Sequence, residues 1–257
     1  MQPKTGLPDA LALMKDLRRR CDWDAAQTHE SLRPYLIEEA YEVDDAIRAG
    51  DDRLLREELG DLLLQVLFHS VVAEERGAFD FSEVAEGFIA KMKTRHPHLY
   101  EGGERQSWEG MKAKKRASIV DGLPADLPAL HRAFRLQDRA AGVGFDWPDA
   151  AGPAAKVEEE LAEVRSEVER GAVASGNGVP DPLLEEELGD LLFSVVNLCR
   201  KLGVHPSLAL DKANLKFAAR FQGIESLAKD RGIDVATAGL EVLDRLWEEV
   251  KSGVDKR

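Results

Sequence analysis

The sequence predicts an all-α protein built as two tandem, four-helix-bundle-like halves, and three observations carry that expectation. Apolar residues recur at three- and four-residue spacing along nearly the whole chain, and persuasive strand alternation occurs nowhere. One acidic pattern occurs twice: Glu38-Glu39-Ala40-Tyr41-Glu42 with Glu58-Leu59-Gly60-Asp61, then Glu159-Glu160-Leu161-Ala162-Glu163 with Glu187-Leu188-Gly189-Asp190. The distance from each acidic motif to a later lysine is also equal, 52 positions from Glu39 to Lys91 and 52 from Glu160 to Lys212.

Taken in chain order, Leu11, Met14 and Leu17 set the apolar face of a first helix. Tyr35 to Ile47 makes a second, whose acids sit beside Ile37, Tyr41 and Val43. Ala49-Gly50-Asp51-Asp52 reads as a tight break. A third helix then runs from Leu54 to about Glu75, acidic at its start and strongly apolar afterwards, and Gly77-Ala78-Phe79-Asp80 ends it. Ser82 is the expected N-cap of a fourth helix, which Pro97 stops. Residues 102–128 hold a short basic helix between glycine and proline breakers and read as a linker between domains at 1–101 and 129–257.

Beyond the linker the design recurs. Helices are expected at Ala129 to Ala141, Ala154 to Arg170, Pro182 to Leu202, Ser207 to Ala228 and Leu240 to Val250, with an open loop from Gly171 to Pro182. Asp22-Trp23-Asp24 has a rough counterpart in Phe145-Asp146-Trp147, Lys91 and Arg95 answer Lys212 and Lys216, and Trp108-Glu109 with Lys112 answers Trp247-Glu248 with Lys251. The inner spacings differ, 19 positions from Glu39 to Glu58 against 27 from Glu160 to Glu187. Equal totals with unequal parts point to a duplicated scaffold whose connections have drifted.

Composition bounds the function. The 257 residues are 44% apolar, enough for a packed core, and the formal charge of -13 argues against broad nucleic-acid binding, which needs basic surface. Cys21 and Cys199 are the only cysteines, so a disulfide framework is not expected and a reducing compartment is. No apolar run follows Met1 to Thr5 to suggest a signal peptide, and the stretch Leu62 to Ala73 is too short and too interrupted to cross a bilayer. A cytoplasmic protein with no membrane partner is therefore expected.

Carboxylates three apart lie on one helical face, so each copy of the motif can aim four of them from two antiparallel helices at one point. Such a point suits a hard divalent cation, and a bound cation is the simplest reason to gather like charges twice. A lone acidic run is ordinarily a solvated helix face, but here the acids abut apolar residues and the pattern repeats. A di-iron carboxylate bundle needs Glu-x-x-His on two helices, and no histidine here has a glutamate three positions before it. A non-enzymatic helical interaction module stays as the alternative. Gly60 and Gly189 read as places where helices approach closely, His69 as a satisfied polar residue, and His96 and His98 as helix-terminus residues.

The doubled EExxE and ExxD motifs, with Gln27-Thr28-His29, Pro34-Tyr35, Asp45-Ala46-Ile47, Arg95-His96-Pro97-His98, Val143-Gly144-Phe145-Asp146-Trp147 and the Lys212 to Phe221 run, resemble the MazG family of nucleoside triphosphate pyrophosphohydrolases in its two-domain bacterial form. The similarity spans nearly the whole chain. Asp22 departs from it, standing where the family commonly has proline in a Cys-Pro-Trp-Asp run.

The resemblance implies Mg²⁺-dependent hydrolysis of nucleoside triphosphates to the monophosphate and pyrophosphate, nucleotide-pool control and a homodimer, and weak discrimination by a stacking indole leads to the expectation of a broad range of bases. It implies metal ligation by Glu160, Glu163, Glu187 and Asp190, with Glu159 or Glu186 orienting water or accepting its proton, and an equivalent first-half set of Glu39, Glu42, Glu58 and Asp61 backed by Glu38 and Glu57. Lys212, Lys216 and Arg220 form one helical stripe suited to the triphosphate, and Lys156, four before Glu160, can reach the same pocket. Trp247 is a candidate for stacking on the base or for ordinary packing. The fuller basic stripe makes the second half the expected main site.

Overall fold

The computed structural model describes residues 6–100, 102, 117–171 and 181–254, and every regular element among them is a helix. The expected basic helix of the linker, the Trp108 to Lys112 counterpart and most of the Gly171 to Pro182 loop lie outside the described residues. The chain separates into two compact units, Met1–Arg105 and Gln106–Arg257.

In the first unit the elements are α1 (Leu7–Arg20), α2 (Asp22–Ala26), α3 (His29–Ala49), α4 (Asp52–Glu75), α5 (Phe81–Arg95) and the short α6 (Pro97–Tyr100). Helix α3 begins six residues before the sequence expectation, despite Pro34 within it. Thr28 caps it: its side chain accepts from Ser31 N at 3.2 Å while Ser31 Oγ accepts from Thr28 N at 2.9 Å. This reciprocal cap secures the first turn, and Pro34, which gives up one backbone donor, is accommodated farther along the helix. The break between α3 and α4 is as expected. Gly50 closes α3 in the left-handed region at φ 65°, and Asp51 Oδ1 accepts from Arg53 N and Leu54 N at the start of α4. Ser82 is not the N-cap of α5. Asp80 is, because Asp80 and Glu83 satisfy each other's backbone N–H groups at 2.9 Å in a capping box.

Helix α4 is the hub of this unit and packs against α1, α3 and α5. Met14, Leu32, Leu67, Phe68, Val71 and Val72 form its buried core. At the C-terminal end of α4, Lys15 pairs with Glu74 at 2.7 Å and Arg18 grips Glu75 with two donors. The Arg18 guanidinium also donates to the carbonyls of Asp24 and Gln27 and lies 5.7 Å from the Phe68 ring centre, so one cation ties α1, α2 and α4 together. Its hold keeps the Glu75 carboxyl below the ordinary range.

The second unit contains α7 (Ala129–Gly142), α8 (Ala151–Glu169), α9 (Pro182–Lys201), α10 (Pro206–Asp230) and α11 (Leu240–Val254). Here α9 packs against α7, α8 and α10, and α10 against α7 and α11. Ile224, Ala228 and Leu246 are the buried centre of the α10/α11 contact, and Gly223 permits the close approach: a Cβ there would sit 2.8 Å from Val250 Cγ1. Buried Arg139 donates to the carbonyls of Ile119 and Asp121 at 2.7 and 3.0 Å, fixing the preceding turn onto α7. Asp146 pairs with Arg200, and Lys201 donates to the Trp147 carbonyl at 2.6 Å, which pins the Phe145-Asp146-Trp147 turn to the end of α9. No helix of the described residues is long and apolar enough to cross a membrane.

Each unit also carries a histidine pair. His29 Nδ1 and His69 Nδ1 are 2.8 Å apart in stacked rings, and the rings of His131 and His205 lie 5.2 Å apart. His69 is only partly satisfied, because its Nε2 is buried without a partner, while His96 closes α5 with Nδ1 2.8 Å from the Met92 carbonyl.

Removing Arg18 leaves Glu75, which is 45% exposed, in contact with water, so Arg18→Ala is expected to cost about 2 kcal/mol rather than the full penalty of a broken buried pair; urea unfolding of the full chain measures it. Burial first, and the His29 charge second, push the His69 imidazole below its ordinary 6.5. The unfolded chain then binds more protons than the folded one below that value, so this stability is complete above about pH 6.5 and declines as pH falls toward the lowered value. Melting of the first unit is expected to drop between about pH 7.5 and about pH 5.5, and His69→Gln to flatten that drop; calorimetry showing equal slopes contradicts it.

Candidate functional site

The two acidic motifs converge in the fold as pairs of packed helices. In the first unit α3 and α4 bring together Glu39, Glu58 and Asp61, and in the second α8 and α9 bring together Glu160, Glu163 and Glu187. Within each trio one carboxylate oxygen per residue lies within 4.8 Å of the others. Opposite oxygens around an octahedral Mg²⁺ stand about 4.2 Å apart, twice the usual bond length. Adjacent ones stand about 3.0 Å apart, so side-chain rotation must draw the oxygens of either trio closer to close on such an ion, and three hard oxygen donors fit it chemically.

The trios draw differently on the two motifs. The first takes one residue from EExxE and two from ExxD; the second takes two and one. Glu42 stands beside Glu39, whose carboxyl it hydrogen-bonds, and its charge reaches Glu58, but it is outside the first trio. Asp190 is exposed on α9, one turn beyond Glu187, and is outside the second. Glu159 and Glu186 are exposed neighbours, with Glu159 Oε1 accepting from Lys156 Nζ at 2.9 Å.

Crowding of like charge is visible in the protonation of these groups. Burial first, then the charges of Asp61 and Glu42, push the Glu39 carboxyl above its ordinary 4.5. Desolvation, then Glu42 and Asp61, do the same to Glu58. Glu163 is raised chiefly by its hydrogen bond to Glu160, then by desolvation and the charges of Glu160 and Glu187, with Lys156 opposing.

Lys156, four positions before Glu160, rests on the acid itself. Its Nζ lies 2.6 Å from Oε1 of Glu160, a residue only 4% exposed, and the pair of glutamates holds the ammonium above its ordinary range, Glu160 before Glu159. A cation thus already rests against the second trio. In the first unit the position four before Glu39 is Tyr35, whose ring stands edge-on to Trp23 at 6.1 Å.

The remaining predicted residues lie on α10 and α11. Lys212 and Lys216 are exposed on α10 and form no ion pair among the described residues. Arg220 Cζ lies 5.6 Å from the Trp247 ring, which also meets Phe217 at 5.5 Å and borders the Ile224 core. Trp247 is therefore a half-buried packing residue with a cation on its face. Gly60 and Gly189 do not mark a close helix approach: a Cβ at either would meet nothing within 4 Å, so each leaves open space beside a carboxylate trio.

The sequence matches the family model described as the MazG nucleotide pyrophosphohydrolase domain over residues 27–100. Over 255 residues it is 44% identical to the nucleoside triphosphate pyrophosphohydrolase/pyrophosphatase MazG of Thermotoga maritima, covering 95% of each chain. It is 40% identical over 250 residues to the nucleoside triphosphate pyrophosphohydrolase of Escherichia coli K12, covering 93% of each. An uncharacterized protein of Bacillus subtilis, YabN, is 40% identical over 253 residues, with 93% of this chain matching half of that one.

Because Glu39 has a raised carboxyl, the folded state holds its proton longer than the unfolded chain, and the stability associated with that proton is lost as pH rises from 4.5 through the raised value. Glu39→Gln is expected to raise the melting temperature in metal-free buffer, more at about pH 7.5 than at about pH 4.5. A melting temperature lowered at both pH values contradicts the reading.

Proposed function

The chain belongs to the MazG family of nucleoside triphosphate pyrophosphohydrolases, and from that premise we propose that it hydrolyses nucleoside triphosphates between the α and β phosphates, releasing the monophosphate and pyrophosphate. The observation that carries this reading is the second unit's trio of Glu160, Glu163 and Glu187 with a lysine beside it, acids for a metal and a cation for phosphate within one helix pair. A purely structural interaction module gives no reason to hold partly buried carboxylates against one another in both units.

Mg²⁺ is the proposed ion, held by Glu160, Glu163 and Glu187, with Asp190 joining by a rotamer change from the adjacent turn of α9. When bound, the ion would offset the negative charge of the phosphates and lower the pKa of an attacking water. Glu159 or Glu186 orients that water and takes its proton as the α–β anhydride bond breaks and pyrophosphate leaves. Lys212, Lys216 and Arg220 lie on one stripe of α10 and neutralise the triphosphate. Trp247 is the proposed stacking contact for the base, an interaction that discriminates weakly, so a broad range of bases is proposed, in keeping with nucleotide-pool control.

The first trio, Glu39, Glu58 and Asp61 with Glu42, is proposed to support assembly or a secondary metal site. The two proposed domains, 1–101 and 129–257, flank a linker at 102–128. A homodimer is supported by apolar side chains left exposed on the long helices, among them Leu59 and Val66 on α4, Leu192 and Phe193 on α9, and Leu215 and Phe217 on α10. Two free cysteines suit a cytoplasmic location.

Pyrophosphate, not orthophosphate, is the expected primary product in an assay with several nucleoside triphosphates and Mg²⁺. Glu160→Ala or Asp190→Ala is expected to lower turnover at least about a thousandfold, about 4 kcal/mol, while Glu39→Ala stays within about threefold. Orthophosphate alone, or the reverse ranking of the variants, overturns the assignment.

A further inference from the structure

Glu160 is buried and its Oε1 is already taken: Lys156 Nζ stands 2.6 Å from it and 2.9 Å from Glu159 Oε1. An ion bonded to that same oxygen at about 2.1 Å would lie less than about 5 Å from the ammonium, close enough for the like charges to repel strongly in a partly buried site. We infer that Lys156 is the second site's resident counter-ion, which holds Glu160 in place before the metal arrives and must release it for the metal to bind. The inference rests on the reading of the trio as a metal site and adds a control step to it.

The side chain suits the task. An ammonium is a compact charge on a flexible stem, and Lys156 is 40% exposed, so it can swing away without disturbing α8. Released into water alone it gives up two carboxylate contacts, whereas a docked phosphate chain offers new anionic acceptors. Metal and triphosphate thus assist each other, and the assistance is reciprocal because both act on one exchange. The first unit lacks this device. Tyr35 stands at the matching position and is turned edge-on to Trp23, so nothing from that position competes for Glu39. The two trios therefore differ in kind, the first open to a divalent ion alone and the second restrained until phosphate is present.

The test is Mn²⁺ binding to the full chain without nucleotide, read from the signal of free Mn²⁺ in electron paramagnetic resonance. Wild type is expected to show a tighter class of site lost in Glu39→Gln and a weaker class lost in Glu160→Gln. Lys156→Met, and Lys156→Gln as a second neutral variant, are expected to tighten the weaker class about tenfold, about 1.4 kcal/mol, while Lys156→Arg, which keeps the charge, leaves it weak. Unchanged or weakened Mn²⁺ binding in both folded neutral variants overturns the inference. If Glu160→Gln removes no Mn²⁺ at all, the metal-site reading itself fails, a result distinct from the first.

Discussion

The structure depends on holding carboxylates against one another between packed helices, an arrangement that repels itself unless a cation shares the space. In the first unit the repulsion stays among the acids, and burial with neighbouring charge pushes the Glu39 and Glu58 carboxyls above their ordinary value. In the second it is met by Lys156, which pairs with the most buried acid of the trio. The same chemical problem thus has two answers in one chain. Each answer leaves the oxygens close enough to accept a divalent ion.

The rest of the scaffold keeps those helices in register. Arg18 ties α1 and α2 to the far end of α4, and the Asp146 pairing with Arg200 ties the corresponding turn to the far end of α9. Both clamps act at the C-terminal ends of the helices that carry ExxD, where a basic side chain also complements the helix dipole. Gly60 and Gly189 then leave room beside the acids. Precise carboxylate placement and free space are what phosphate chemistry through a metal requires.

Much of this is legible in the sequence because the signals are local. The α3/α4 break is written in Gly50 and Asp51, and the duplication in motifs of fixed spacing. Local signals also compete. Pro34 hides the first turns of α3, which the Thr28 and Ser31 cap secures, and Ser82 distracts from the Asp80 and Glu83 box two residues earlier. Spacing gives the face on which Glu42 and Asp190 lie, but which oxygens converge depends on how two helices cross, and that is a tertiary property. The histidine pairs are invisible for the same reason: His29 and His69 meet across 40 positions of sequence. The i to i+4 relation puts Lys156 within reach of Glu160, yet spacing alone does not say that it rests on the acid.

Whether the second trio gathers a divalent ion beside a triphosphate is read from anomalous diffraction of crystals grown with Mn²⁺ and a non-hydrolysable nucleoside triphosphate. A manganese peak bonded to Glu160, Glu163 and Glu187 is expected, with Lys156 turned from Glu160 toward the phosphates. A bound nucleotide with no manganese at those three carboxylates contradicts it.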